Sequence, residues 1–264
     1  MIQNPSFKGK LARDVLAIYE WFVGFSSPRE EGVRHRITAF HLRRYQRDLI
    51  TFLRSYITAP CVFFDVGANI GYVSREASRI VGSAGSVLAF EPNPSVFELL
   101  KRNCGRLKNA TVHNLAVGDR EATLSLQFQK DQTGEASLVS PANRIGAVSV
   151  DVRVVTLASY LATVEPSAKV VLKIDVEGFE VPVLRGIGTG RLPDCIIAEY
   201  NPKWQRAGGF SPREFYDWFF SNGYRINILG AGGRLASTNW EQFSDAVGLT
   251  PDNESFDCVA ILGP

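Results

Sequence analysis

Phe64-Asp65-Val66-Gly67-Ala68-Asn69-Ile70-Gly71-Tyr72 is the stretch on which the fold is decided. It joins an apolar run, residues 61–66, to a segment with helical spacing, residues 71–81. A buried strand that ends in a glycine-rich turn and passes directly into a helix opens an α/β domain. Gly67 and Gly71 let the backbone turn tightly and approach a ligand with no Cβ in between. Asn69 tolerates left-handed backbone and can hold the middle of the turn. Asp65 is expected to face whatever sits there.

Working outward, strand and helix signals alternate. Residues 86–91, 111–117, 170–176 and 194–200 read as strands, and 94–104, the stretch reaching Leu184, and 212–221 as helices. Near-continuous apolar strands between helices predict a mostly parallel sheet covered on both faces. Residues 122–128 and 148–155 alternate apolar and polar, so an antiparallel insertion is expected near 120–155. Residues 224–229 and 257–262 are separated by a Gly-rich turn (Gly230, Gly232, Gly233) and a loop, which predicts an antiparallel hairpin at the sheet edge. Upstream, residues 9–25 and roughly 34–57 read as helices, with Pro28 between them and Pro60 after. The expected organisation is an N-terminal helical extension, 1–57, capping one domain, 58–264.

Composition narrows the class. The 264 residues are 45% hydrophobic and 21% charged, enough to bury a core without disulfides or metals. There is no run of 18 apolar residues, so no transmembrane helix is expected. The apolar run 15–25 carries Glu20 and follows Asp14, unlike a secretory signal. Cys61, Cys104, Cys195 and Cys258 form no C-x-x-C pair and read as reduced core thiols, which predicts a cytoplasmic protein. Residues 1–60 carry a net charge of +5 within a total of +2; Arg34, Arg36, Arg43, Arg44, Arg47 and Arg54, with His35 and His41, make a basic cluster. It reads as a solvated helix face, no nucleic-acid module is present, and the sequence leaves a homo-oligomer open.

Glu91 ends the second strand, twenty residues after Gly71, an offset that suits an acid bonded to the hydroxyls of a ribose. The turn lacks G-x-G-x-x-G, and the carboxylate of Asp65 would repel a pyrophosphate while suiting an amino group. S-adenosylmethionine therefore fits better than a dinucleotide. Further on, Lys173, Asp175 and Glu177 occupy alternate positions, so one strand face is expected to gather all three, with Glu199 on the next strand beside them. Buried, they would form either an ion pair supporting the pocket or the group that takes an acceptor's proton. No His- or Cys-rich spacing supports zinc, and a metal is not part of this reading, although carboxylates would suit Mg²⁺. His113 reads as a packed residue.

Four ordered motifs, DVGANIG (65–71), FEPNP (90–94), NLAVGD (114–119) and LKIDVEGFE (172–180), resemble those of the FkbM-type methyltransferases. The resemblance covers about residues 61–200. It implies a class I, Rossmann-like methyltransferase fold, with S-adenosylmethionine as donor and usually a hydroxyl of a sugar or other small metabolite as acceptor. It implies that Asp65, Gly67, Asn69 and Gly71 line the methionine and ribose, and that Glu91 holds the ribose hydroxyls. Pro92 and Asn93 would shape the adenine edge, Asn114, Leu115 and Ala116 would flank the adenine, and Asp175, Glu177 and Gly178 would lie next to the methyl group. The family often has His after the Glu-Gly pair; here Phe179 stands there, packing or stacking on a substrate ring. A non-catalytic adenosine-ligand protein and an NAD-dependent oxidoreductase remain the alternatives.

Overall fold

The computed structural model describes residues 46–58, 60–129, 132–139, 147–252 and 254–263. The helix expected over 9–25, and Arg34, His35, Arg36, Ile37, Phe40, His41, Arg43 and Arg44, lie outside them. The second predicted helix is described from Arg47 as α1 (Arg47–Tyr56), an amphipathic helix that buries Leu49, Ile50, Phe52 and Leu53.

Eight strands form the main sheet. β1 (Cys61–Val66) pairs in parallel with β2 (Ser86–Phe90) on one side and β8 (Lys169–Ile174) on the other. β3 (Ala110–His113) extends the sheet beyond β2, and β9 (Cys195–Tyr200) beyond β8, both in parallel. Sequence order thus runs outward from β1 in one direction and resumes beside it in the other. That makes the β1–β8 boundary a topological switch point, where crevices at the carboxyl ends of strands take ligands. Because side chains alternate along a strand, neighbouring Phe63 and Phe64 enter different cores. Phe63 packs with α1 and α2 (Tyr72–Val81). Phe64 packs with α4 (Leu157–Leu161), α5 (Glu180–Arg185), α7 (Pro212–Ser221) and α8 (Trp240–Leu249). α3 (Pro94–Cys104) follows β2 and is capped by Asn93.

The far edge differs from expectation. β10 (Tyr224–Leu229) and β12 (Phe256–Leu262) pair antiparallel, but they are no hairpin: β12 lies between β9 and β10, antiparallel to both. The Gly-rich turn instead leads into a short strand, β11 (Leu235–Ser237), which pairs with β10 as the true edge hairpin. α8 follows, opened by an Asn239–Gln242 capping box. Likewise α6 (Pro202–Ala207), capped by Asn201, stands between the expected strand 194–200 and helix 212–221, where no element was expected.

The third predicted strand, 111–117, is two. β3 ends at His113, and β4 (Ala116–Val117) leaves the sheet to pair in parallel with β7 (Ala147–Val155). The break falls at Asn114, whose amide donates to the carbonyls of Glu91 (2.8 Å) and Pro92 (3.0 Å) in place of a ladder partner. β7 pairs antiparallel with β5 (Ala122–Gln129), and β6 (Gln132–Ser137) closes a second sheet of order β4-β7-β5-β6. The alternation in 122–128 and 148–155 has its expected cause, since Leu126, Val152 and Val154 form one small core.

Candidate active site

The turn after β1 is fixed by backbone bonds to β2. The N–H groups of Gly67 and Ala68 both donate to Phe90 O, at 3.0 and 2.9 Å. Gly67, Asn69 and Gly71 all have positive φ, as expected of the turn. The glycines serve a second purpose that the sequence reading missed. A Cβ on Gly67 would sit 1.8 Å from Asp175 O, and one on Gly71 2.6 Å from Leu100 Cδ1 and 2.7 Å from Cys104 Sγ. Their absent side chains admit the neighbouring strand end and α3.

Glu91 lies at the carboxyl end of β2, as read. One carboxylate oxygen accepts the Asn69 N–H and the other the Asn93 N–H, both at 2.9 Å. A carboxylate offers about four lone-pair sites, so one remains on each oxygen, a match to the two hydroxyls of a ribose. Burial raises its pKa to about 7 against the pull of those two N–H groups and of Lys173. Asn93 is buried, Ala116 packs in the small core of the second sheet, and Leu115 packs against the large core. Pro92 and Asn114 are joined by the Asn114 amide bond.

Asp65 does not face the crevice. It is fully buried, accepts from Ser74 Oγ (2.5 Å) and lies 3.4 Å from Lys173 Nζ. The reason is the register: Asp65 is level with Lys173 on the adjoining strand, on the covered part of the sheet. Burial raises its pKa, with Lys173 and Ser74 opposing. Lys173 also donates to Gly67 O (3.1 Å) and pairs with Asp175 (3.0 Å). Burial alone would favour the neutral amine, but Asp175 and Asp65 hold it charged.

Lys173, Asp175 and Glu177 do not share one strand face. β8 ends at Ile174, and Glu177 has left-handed backbone at φ 51°, so strand alternation stops before it. A turn instead brings Asp175 and Glu177 to Glu199: oxygens of the three lie within 4.8 Å of one another. Asp175, whose side chain is 24% exposed, keeps its charge. Its pKa is lowered because Lys173 and a hydrogen bond with Glu199 outweigh burial. Burial and the charges of Asp175 and Glu177 lift Glu199 well above the carboxylate range. Ser255 Oγ donates to Glu199 Oε1. The oxygen spacing would admit a divalent cation, but Lys173 already supplies positive charge beside Asp175.

Phe179 packs against the large core, with its ring 3.0 Å from where a Gly118 Cβ would be. His113 stacks on Phe90 (4.9 Å) and meets Tyr160 edge-on, and burial lowers its pKa. The sequence reading overlooked Ser74, Ser137, Glu180, Gln205 and Ser255. Glu180 stands in the quoted run 172–180; the others carry no local signal.

The sequence profile of the methyltransferase FkbM domain matches residues 65–226. Methyltransferase 1 of Beauveria bassiana is 30% identical over 156 residues, 51% of this chain and 62% of that protein. Hexuronic acid methyltransferase AglP of Haloferax volcanii is 29% identical over 144 residues, 54% of this chain and 57% of its own. The chain thus spans about three fifths of the length of these relatives. Among solved structures, a precorrin-6y C5,15-methyltransferase of Geobacter metallireducens aligns with TM-score 0.45 and 13% identity, over 83% of this chain and 89% of that one.

Proposed function

The chain belongs to the FkbM methyltransferase family, and from that premise we propose that it methylates a hydroxyl oxygen of a sugar or other small metabolite. S-adenosylmethionine is the donor, and the site fits it: Glu91 offers one free lone pair on each oxygen for vicinal hydroxyls. The observation that carries the oxygen-directed reading is the charged Asp175 beside Glu177 and Glu199 at the switch point.

Bound there, the donor supplies a methyl group on positively charged sulfur, for in-line transfer to a nucleophile. Charge is lost in that step, so holding the acceptor in line can lower much of the barrier. Lys173 keeps Asp175 ionised and aimed. Asp175 or Glu177 takes the hydroxyl proton as the oxygen attacks, an effect of about 10²–10⁴-fold for a positioned base. Glu199, hydrogen-bonded to Asp175, braces it. A small hydroxylated molecule is the partner, a nucleic acid is not, and four free buried cysteines support a cytoplasmic setting. Among the described residues no helix is long and apolar enough to cross a membrane.

The test is tritium transfer from labelled donor to a panel of neutral sugars, hexuronic acids and hydroxylated metabolites, alongside titration with S-adenosylhomocysteine and NADH. Label on an alkali-stable ether, with binding of S-adenosylhomocysteine alone, is expected. Label on nitrogen or carbon, or binding of NADH alone, would overturn the reading.

A further inference from the structure

The turn that carries Asp175 and Glu177 is gripped by groups that no motif singles out. A non-glycine residue with left-handed backbone, such as Glu177, persists only where its surroundings over-determine it. Here the peptide unit joining Glu177 to Gly178 is held at both edges. Its carbonyl accepts from Ser137 Oγ (2.8 Å), a buried residue at the end of β6. Its N–H donates to Glu180 Oε1 (3.3 Å), which also accepts the Val176 N–H (3.1 Å). The other Glu180 oxygen accepts from Gln205 Nε2 on α6. Gly178 is wedged besides: a Cβ there would lie 2.5 Å from Trp204 O and 2.9 Å from Val139 Cγ2. The insertion sheet and α6 thus close on this turn from two sides.

We propose that Ser137 and Glu180 are positioning residues for methyl transfer, fixing the 177–178 peptide so that the Asp175 and Glu177 carboxylates stay aimed at the acceptor. This rests on the reading above that transfer occurs at this turn. Fixing that peptide unit sets ψ of Glu177, and holding the Val176 N–H fixes the peptide unit that leaves Asp175. The insertion therefore supplies a hydrogen bond to the reacting end of the site. Neither residue touches the reacting atoms, and neither supports the Glu91 turn.

The experiment compares Ser137→Ala, Ser137→Thr, Glu180→Ala and Glu180→Gln in the full chain. Three quantities are read: kcat and KM with an acceptor from the tritium assay, S-adenosylhomocysteine affinity, and amide exchange of residues 176–178. Ser137→Ala is expected to lower kcat about tenfold to a hundredfold, the scale of a small misplacement. Affinity for S-adenosylhomocysteine should stay within about twofold, and exchange at 176–178 should accelerate through local opening. Ser137→Thr keeps the hydroxyl and should restore both. Glu180→Gln keeps an acceptor oxygen, and a flipped Gln205 can offer its Oε1, now buried without a partner, to the new amide. It should therefore exceed Glu180→Ala in rate. Unchanged kcat and exchange in Ser137→Ala, a loss that follows cofactor affinity, or no rescue by threonine would overturn the proposal. If the wild type labels no acceptor, the reading of the reaction fails, and exchange decides the clamp: lost protection at 176–178 sustains it and unchanged protection overturns it.

Discussion

The two halves of the crevice are built in opposite ways. The half at β1 and β2 is local: Gly67, Asn69, Glu91 and Asn93 lie within thirty residues and are tied by backbone N–H groups to one carbonyl and one carboxylate. The half at β8 and β9 is assembled from afar. Asp175 and Glu177 are met there by Glu199, itself bonded by Ser255 ahead of β12, and by Ser137 from the insertion, while Gln205 from α6 holds the neighbouring Glu180. A local half can be written as a motif, because one stretch of chain fixes its geometry. A distributed half depends on contacts between segments far apart in the chain, so no single stretch spells it.

The largest expected effect joins the halves. Gly67→Val places a branched side chain on a residue with φ of 77°, where Cβ would sit 1.8 Å from the Asp175 carbonyl. Read from sequence alone, that substitution would remove cofactor binding and spare the sheet. The geometry says otherwise: strain and overlap with a buried strand end should cost more than about 3 kcal/mol. Little folded protein is expected, and a melting curve close to wild type would show that β1 and β8 do not meet as described.

The next effect separates the halves. Asp175→Asn should lower kcat on the order of 10²-fold or more, with partial recovery at high pH, and leave S-adenosylhomocysteine affinity nearly unchanged. Its stability loss should be moderate, because Lys173 keeps Asp65 and the Gly67 carbonyl as partners. Glu177→Gln should show the same kinetic pattern only if Glu177 is the base. If both variants melt early and neither defect is rescued by pH, the acids are scaffold and catalysis rests on positioning.

This asymmetry also explains what the sequence disclosed. The Gly-rich turn, Glu91 at the next strand end, the parallel sheet and the 120–155 insertion were legible, since each follows from local periodicity or spacing. Asp65 was misread: a carboxylate beside a turn looks exposed until the register with Lys173 is known. Asp175 and Glu177 converge by a left-handed turn, which alternation does not foresee. β12 slipping between β9 and β10 depends on pairings sixty residues apart. α8 was the avoidable miss, because Asn239 and Gln242 spell a capping box.

Glu91→Ala addresses the local half alone. It should weaken S-adenosylhomocysteine binding by about 1.5–3 kcal/mol, the scale of hydrogen bonds to a charged group. Turnover at saturating donor should change less than affinity does. Calorimetry on the folded variant checks this, and unchanged affinity would remove Glu91 from the ribose position.

The smallest effect is a pH dependence, and its sign is fixed by the same residue. Burial lifts the Glu91 pKa from its usual range to about 7, while Lys173 and the Asn69 and Asn93 N–H groups pull it down and Asp65 pushes it up. Because folding favours the protonated form, Glu91 stabilises the ligand-free protein at acid pH, and that contribution is lost as pH rises toward 7. Ribose hydroxyls need the ionised carboxylate, so binding should release a proton. Affinity for S-adenosylhomocysteine should then be constant above about pH 8 and fall toward tenfold per unit below about pH 6. Calorimetry in two buffers of different ionisation enthalpy would count the proton directly. Lys173 stays charged throughout this range, so it does not mimic the titration. Glu91→Gln cannot titrate and should flatten the profile. A slope that survives in that variant would move the proton to another group and leave the local half of the site independent of pH.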